Sequence, residues 1–523
     1  MKTNRTYSIL ISLIVALGGF LMGFDASVIS GVIKFVSIEF DLTPGQHGFA
    51  VASLTLTSTI AMLFAGPLSD RFGRKRVLLT AASLFFISAI YSALSPNYIN
   101  LVIARMIGGL GVGSALIVPP MYIAEIAPPK QRGRLVSFNQ LNIVIGLSVA
   151  FFTNYLILRM GESGTSLAQS MNLEENNWRW MLSIESIPAI IYFGFLFFVP
   201  ESPRWLAMQG QSEKAVNVLA RFENETKARE SLASILDSLK QENTKNKLPL
   251  KELFKPAMKF VLTIGIVIGI LQQITGINAV FFYAPMIFEQ TGIGTDASFV
   301  NAVIIGLTNL IFTIVAIIFV DRLGRKPLLI FGLIGIAVSM FILTASFKQA
   351  TYTLDEQSIT ALSNHEEYSN FSAISNLSGQ EFTNDVAFKK ALATVLDSKT
   401  IKTYESEILK ACIHINVWLV LAGIIAFVAS FAVSLGPVMW ILLSELFPDR
   451  LRGLAISFVG VLNSAVSFTV QQLFPWELSN IGNAGTYFLF GIFAVAGLVY
   501  VYLKLPETKG KSLEELEQSL VGK

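Results

Sequence analysis

Twelve apolar stretches, each close to the roughly 20 residues a helix needs to cross a bilayer, dominate this chain. Their approximate limits are 8–32, 48–68, 77–95, 99–122, 135–157, 179–199, 260–288, 299–320, 327–347, 413–440, 454–475 and 484–504. In hydrocarbon each backbone amide must be satisfied inside its own segment or in a closed barrel, and runs this long select helices. Only 14% of the residues are charged and the mean hydropathy is +0.60, where a soluble domain carries about a quarter charged residues. The expected fold class is therefore an all-α, multi-pass membrane protein. Lys2 and Arg5 ahead of an apolar run resemble the start of a signal peptide. The run continues past Gly18 and Gly19 to Ile33 without a convincing cleavage site, so it is read as the first span.

Cations mark the inner loops. Arg71, Arg74, Lys75 and Arg76 follow span 2; Lys130, Arg132 and Arg134 follow span 4; Arg322, Arg325 and Lys326 follow span 8; Arg450 and Arg452 follow span 10. The opposite short loops hold little beyond Lys34, Arg159 and Arg179. Both termini are expected in the cytoplasm, with the chain in the plasma (inner) membrane. The net charge of +3 comes from these loops and gives no reason to expect nucleic acid. A single cysteine, Cys412, excludes an internal disulfide, and His47, His365 and His414 are too scattered for a metal site. No cofactor is expected. The spans contain no nucleophile–base pair, so an enzyme is not expected either.

The two halves repeat. Asp70-Arg71-Phe72-Gly73-Arg74-Lys75 recurs 251 positions later as Asp321-Arg322-Leu323-Gly324-Arg325-Lys326. Glu125, Pro128, Arg132 and Gly133 recur 320 positions later as Glu445, Pro448, Arg452 and Gly453, and Pro200-Glu201-Ser202 recurs 306 later as Pro506-Glu507-Thr508. The jump from 251 to 320 is what a polar outer insertion at 348–411 produces. The retreat to 306 fits an extra outer loop at 159–178 in the first half. The expected organisation is a six-helix bundle at 1–199, a cytoplasmic linker at 200–258 and a second bundle at 259–523 that carries the insertion and a short tail. Substrate is expected between the bundles near mid-membrane. Glu213–Phe222 and Ala228–Gln241 of the linker read as short amphipathic helices. Asn370-Phe371-Ser372 and Asn376-Leu377-Ser378 fit glycosylation sequons, triplets that are common by chance.

Polar side chains inside apolar spans then locate function. Gln272, Gln273 and Asn278 sit in span 7 with Phe281, Phe282 and Tyr283. Unpaired amides cost several kcal/mol each in hydrocarbon, so these face either a polar cavity or a packed neighbouring helix. Three amides with aromatic rings suit a neutral, hydroxyl-rich ligand. Asp25, Arg105 and Glu185 are the intramembrane charges. At about 1.5 Å per residue, Asp25 lies roughly 24 Å from the inner start of span 1, and Arg105 and Glu185 roughly 9 Å from the outer starts of theirs. In a core about 30 Å thick these depths nearly coincide. An aspartate beside Arg⁺ stays ionised and takes a proton once the arginine moves away, which is a proton-coupling device. The alternatives are a static ion pair or an arginine that snorkels outward.

Gly66-Pro67-Leu68-Ser69-Asp70-Arg71-Phe72-Gly73-Arg74-Lys75 resembles the signature loop of the major facilitator superfamily. Arg105-Met106-Ile107-Gly108-Gly109, Pro120 to Glu125, Pro200 to Trp205, Gln272 to Tyr283 and Pro506 to Gly510 look like its sugar porters, a group that includes xylose–proton symporters and facilitative glucose carriers. The resemblance runs through all twelve spans and leaves out mainly the 348–411 loop. It implies two pseudo-symmetric bundles that move a monosaccharide by alternating access. On the family's pattern, Gln140 and Ile143 of span 5, Gln272, Gln273, Asn278, Phe282 and Tyr283 of span 7, Asn309 of span 8, Phe431, Gly436, Pro437 and Trp440 of span 10 and Asn463 of span 11 line the sugar site. Proton-coupled members carry acids matching Asp25 and Glu185, with Arg105 as counter-ion. Asp70, Arg74, Glu125, Arg132, Glu201, Arg204, Arg325, Glu445, Arg452 and Glu507 match the cytoplasmic salt-bridge network that gates the carrier. Phe282 stands where symporters have tyrosine, Ser464 where a tryptophan follows the span 11 amide, and Met22 where phenylalanine is usual. These departures leave both pentose and hexose open. Ala432 stands where facilitators often have glutamate. The expected partners are a monosaccharide, a proton and the lipid bilayer, for a monomer. A uniporter with the same site is the alternative, and a transport-inactive sensor is disfavoured by the short tail after Leu505.

Overall fold

The computed structural model describes residues 5–127, 132–244, 250–363, 371–510 and 515–516. Asn370, of the first sequon, lies outside them, as does the Arg132 side chain. Eleven helices among the described residues are long and apolar enough to cross a membrane. Most overrun their apolar limits: the first spans Arg5–Glu39, the second Pro44–Phe72, the fifth Arg132–Glu162 and the eleventh Asp449–Asn480. Backbone hydrogen bonding continues after the side chains turn polar, since a helix need not stop where the hydrocarbon does.

The span missing from the eleven is the sixth, expected at 179–199. It is broken into Asn177–Ser183 and Ser186–Leu196, each too short to be counted alone. Glu185 sits at the break. Span 7 is likewise divided into Lys259–Ile274, Ile277–Phe282 and Ala284–Glu289, and span 10 into Val417–Val433 and Leu435–Leu446. Thr275-Gly276 and Pro285 account for the divisions of span 7. In span 10, Pro437 falls in the first turn after the break at Ser434, where a missing N–H costs least.

By packing, the chain divides into two units. The first contains Met1–Ser27, Ser53–Ala150 and Arg179–Glu252; the second contains Val28–Ala52, Phe151–Trp178 and Leu253–Lys523. In the first, Leu78, Phe85, Val112, Val118, Tyr122 and Tyr192 form the centre of one core. Its linker carries Pro203–Met208, Ser212–Phe222 and Glu225–Thr244, with Ser202 capping the first of these on the Trp205 amide. Leu206, Val216, Leu219 and Leu232 bury each other, and Phe222 meets the Tyr7 ring at 5.1 Å.

In the second unit the outer insertion is a folded body with its own core, built on Tyr352, Leu354, Ile374, Phe388, Ile408 and Cys412. Thr351–Thr353 is the central strand of a small antiparallel sheet between Glu381–Phe382 and Ile413–His414, and Tyr352 pairs with both Phe382 and Ile413. Asn384 and Asp397 cap the helices Asp385–Val395 and Ser398–Thr403 by accepting from the Ala387 and Thr400 amides. Asp385 anchors the insertion to the last span by accepting from the Asn483 backbone and side-chain amides at 2.9 and 2.7 Å.

Candidate functional site

In the first unit, Asp25, Arg105 and Glu185 are each only 1% exposed. Arg105 Nη1 donates to Asp25 Oδ1 and, at 2.9 Å, to the Asp25 backbone oxygen. Glu185, at the break in span 6, lies within electrostatic range of both. Asp25 Oδ2, Arg105 Nε and Nη2 and Glu185 Oε1 are buried with no hydrogen-bond partner among the described residues. Such unmade bonds are expensive in a low dielectric and mark a place where protonation or rearrangement lowers the energy. Gly108 makes the approach possible: a Cβ there would lie 2.6 Å from Asp25 Oδ2 and 2.5 Å from Ser88 Oγ. The sequence contained Gly108 in the Arg105–Gly109 motif, but not the reason for it.

In the second unit, spans 7, 10 and 11 share an amide network. Gln272 Nε2 donates to the Leu435 and Gly436 carbonyls at 3.1 and 3.2 Å, the carbonyls beside the break in span 10. Asn463 Nδ2 donates to Gln272 Oε1 at 2.9 Å and to the Gly269 carbonyl at 2.8 Å. Gln273 Nε2 reaches Asn463 Oδ1 at 3.2 Å, and Asn278 Nδ2 reaches Gln273 Oε1 at 2.8 Å and Ser467 Oγ at 2.6 Å. Gln272 and Gln273 are 5% and 8% exposed. The helix-packing role weighed for these amides is therefore present. What the network leaves over is the Asn278 Oδ1 acceptor and the Trp440 indole N–H, neither of which has a partner among the described residues; Trp440 is 39% exposed.

The remaining predicted positions divide. Phe431 packs beneath Gly436, where a Cβ would lie 3.4 Å from its ring. Phe282 and Asn309 are buried. Tyr283 is fully buried with its hydroxyl donated to the Gln471 carbonyl at 3.0 Å, so it holds span 11 rather than offering a free hydroxyl. Gln140, in the first unit, is exposed and Ile143 half-buried. Ser467 and Gln471 were missed, although 463, 467 and 471 recur every four residues on one face of an apolar helix, and that periodicity was visible.

The inner loops repeat in three dimensions as they do in sequence. Arg74 forks onto Glu125, Nη2 to Oε1 at 2.9 Å and Nε to Oε2 at 3.1 Å, and meets Asp70 at 2.9 Å. Glu201 accepts from the Arg74, Lys75 and Ser202 amides, and the Ser202 hydroxyl bonds Glu125. Burial pushes the Glu201 carboxyl up, and those three amides pull it part of the way back. In the other unit, Arg325 Nη2 meets Glu445 at 2.8 Å, Glu507 accepts from the Arg325, Lys326 and Thr508 amides, and Thr508 bonds Glu445 at 2.6 Å. Gly73 and Gly324 adopt φ of 98° and 93°, and a Cβ at either would strike the glutamate it faces. Arg204 and Arg452 lie at the same inner ends and are half-buried.

An outer network was not anticipated. Lys34 bonds Glu289 at 2.8 Å and Thr295 at 2.7 Å. Lys402 of the insertion holds Asp41 at 2.6 Å and the Leu42 carbonyl at 2.9 Å, while Gln290 bonds both Glu405 and Lys389. These pairs join residues far apart in sequence and left no local pattern to read.

The sugar (and other) transporter family matches residues 11–364 and 399–520 of this chain. The arabinose–proton symporter of Bacillus subtilis is 35% identical over 512 residues, 98% of this chain and 95% of that protein. The D-xylose–proton symporter of Escherichia coli is 33% identical over 547 residues, 98% and 96% of the two. An inward-open structure of the xylose transporter XylE from E. coli superposes with a TM-score of 0.74 at 32% identity, covering 98% of this chain and all of that one.

Proposed function

We propose, for a chain that belongs to the sugar (and other) transporter family, that it couples entry of a monosaccharide to entry of a proton by alternating access. The observation that carries the proton is the Asp25–Arg105 pair, buried with Asp25 Oδ2 and Arg105 Nε and Nη2 unpartnered among the described residues, beside a second buried carboxyl, Glu185. Asp25 is the proton carrier, Arg105 its counter-ion and Glu185 the group that makes a second negative charge unwelcome there. In the second unit the interlocked Gln272, Gln273 and Asn463 form a wall of fixed dipoles. Asn278 Oδ1 accepts a sugar hydroxyl, and the Trp440 indole stacks on the sugar's C–H face and donates its N–H. Asn309, Phe282 and Phe431 complete that side; Gln140 and Ile143 keep the assignment that the resemblance gave them. The Arg74–Glu125–Glu201 and Arg325–Glu445–Glu507 clusters bias the conformational balance, which takes only a few kcal/mol. The carrier works as a monomer in the plasma membrane with both termini inside. The symport names of the relatives support this reading.

The test is uptake of labelled sugar in the presence of competing pentoses, hexoses and inositol, with and without a protonophore. Symport requires that uphill accumulation of the preferred sugar collapse with the protonophore and that sugar addition alkalinise the medium. Accumulation that persists without a proton gradient, or downhill flux only, rejects proton coupling, and the second result assigns uniport.

A further inference from the structure

A groove of about 360 Å³ lies on the described surface, apart from the residues assigned to the sugar and the proton. It is lined by Pro256, Lys259, Phe260 and Thr263 at the start of span 7 and by Tyr500 and Lys504 at the end of span 12. From this chemistry we propose that it binds the headgroup of an anionic phospholipid of the inner leaflet.

The groove lies on the cation-rich face, because Lys326 Nζ of the repeated loop donates to the Tyr502 carbonyl at 2.9 Å, two residues before Lys504. The proposal rests on the reading that this face is cytoplasmic. Lys259 and Lys504 are exposed, and neither ammonium has an ion-pair or hydrogen-bond partner among the described residues. Their position contrasts with Lys75 and Lys326, which spend their ammonium groups on the Phe197 and Tyr502 carbonyls at 2.8 and 2.9 Å. Two unspent ammonium groups over one groove are complementary to a phosphate, which lysine binds as a point charge. Tyr500 is half-buried at the same level, where an aromatic ring with a polar tip suits the membrane–water boundary. The Thr263 hydroxyl, which donates to the Lys259 carbonyl at 2.7 Å, still has lone pairs for a headgroup hydroxyl. Beside the lining residues of span 12 the same helix presents an apolar, exposed wall: Val499 is 51% and Leu503 66% exposed. A soluble anion gains nothing from that wall, whereas an acyl chain covers it. Basic pockets between spans on the cytoplasmic side are the setting in which anionic headgroups bind.

The experiment labels the full chain, purified in zwitterionic detergent, with photoactivatable phosphatidylglycerol or phosphatidylcholine and maps the adducts by mass spectrometry. Phosphatidylglycerol adducts are expected on 256–263 and 499–504 well above those of phosphatidylcholine. Labelling should fall by about fivefold for each of K259Q and K504Q and recover in the K259R/K504R variant. Equal labelling by the two lipids, or full labelling of the K259Q/K504Q double variant, overturns the proposal. Displacement of phosphatidylglycerol by inorganic phosphate as effective as by unlabelled lipid assigns the groove to a soluble anion and overturns it as well. Binding is the readout, so the result does not depend on whether transport proves proton-coupled.

Discussion

Replacing Asp25 by asparagine isolates the proposed proton step. The substitution removes the carboxylate charge that faces Arg105 and leaves the geometry nearly intact. Breaking a buried ion pair by removing one partner costs about 3–5 kcal/mol. Here the lower end is expected, because Arg105 keeps its 2.9 Å bond to the backbone oxygen of residue 25, and the new amide still offers an oxygen. The functional magnitude is larger. At a membrane potential of 100 mV one proton carries about 2.3 kcal/mol, which is about fiftyfold accumulation of sugar per coupled proton. In vesicles clamped at that potential, the wild type should therefore concentrate sugar about fiftyfold and D25N not at all. Counterflow exchange, which needs the sugar site but no net proton movement, should persist in D25N and shows that the variant is folded and cycling. If D25N accumulates sugar as the wild type does, Asp25 carries no proton and the buried pair is structural.

Three further outcomes follow from the geometry. Trp440→Ala should raise the KM for sugar with little effect on melting, whereas Gln272→Ala should raise KM and also destabilise by about 1–3 kcal/mol, since it strips partners from Asn463 and from the Leu435 and Gly436 carbonyls; equal melting of the two variants would show that the network holds nothing together. Gly108→Ala places a methyl 2.6 Å from Asp25 Oδ2, an overpacking cost of about 1–3 kcal/mol, and should lower the accumulation ratio more than the exchange rate; a wild-type ratio and melting curve would refute the close approach. In the insertion, burial pushes the Glu405 carboxyl up, but Lys389 beside it, the Gln290 amide and Lys34 outweigh that and hold it below the ordinary carboxylate range. A depressed carboxylate stabilises above its unfolded value and loses that contribution as pH falls through its folded value. A spin label at Lys399 should accordingly gain mobility below about pH 4 and stay constant between about pH 6 and 8. The gain will be small, since Lys389 and Glu405 are 30% and 32% exposed; no change at acid pH removes the pair from the anchoring role.

The spans were legible because hydrocarbon imposes a one-dimensional rule: a long apolar run has to be a helix, whatever it packs against. The inner clusters were legible because they repeat. Offsets of 251, 320 and 306 mapped Arg74, Glu125 and Glu201 onto Arg325, Glu445 and Glu507, and each set does pair with its own glutamates. The coincidence of Asp25 and Arg105 followed from counting residues down two helices of fixed rise. The break of span 6 at Glu185 was not legible, since nothing in Ser183-Ile184-Glu185-Ser186 forbids a continuous helix and only its surroundings favour the turn. The insertion was read as a polar loop because its apolar residues are dispersed along 350–415 and meet only after the sheet closes.

The chain's own chemistry therefore determined its solvent, its helices, its duplication and which polar residue types stand inside its spans. Which donor meets which acceptor was decided in three dimensions. An amide in span 7 carries the same local information whether it faces a ligand or bonds span 11, and only the neighbouring helix determines which of its hydrogen bonds are already made. That is why the sequence pointed to Gln272, Gln273 and Asn278 together, while the packed structure left Asn278 Oδ1 and the Trp440 indole among the groups with no partner in the described residues.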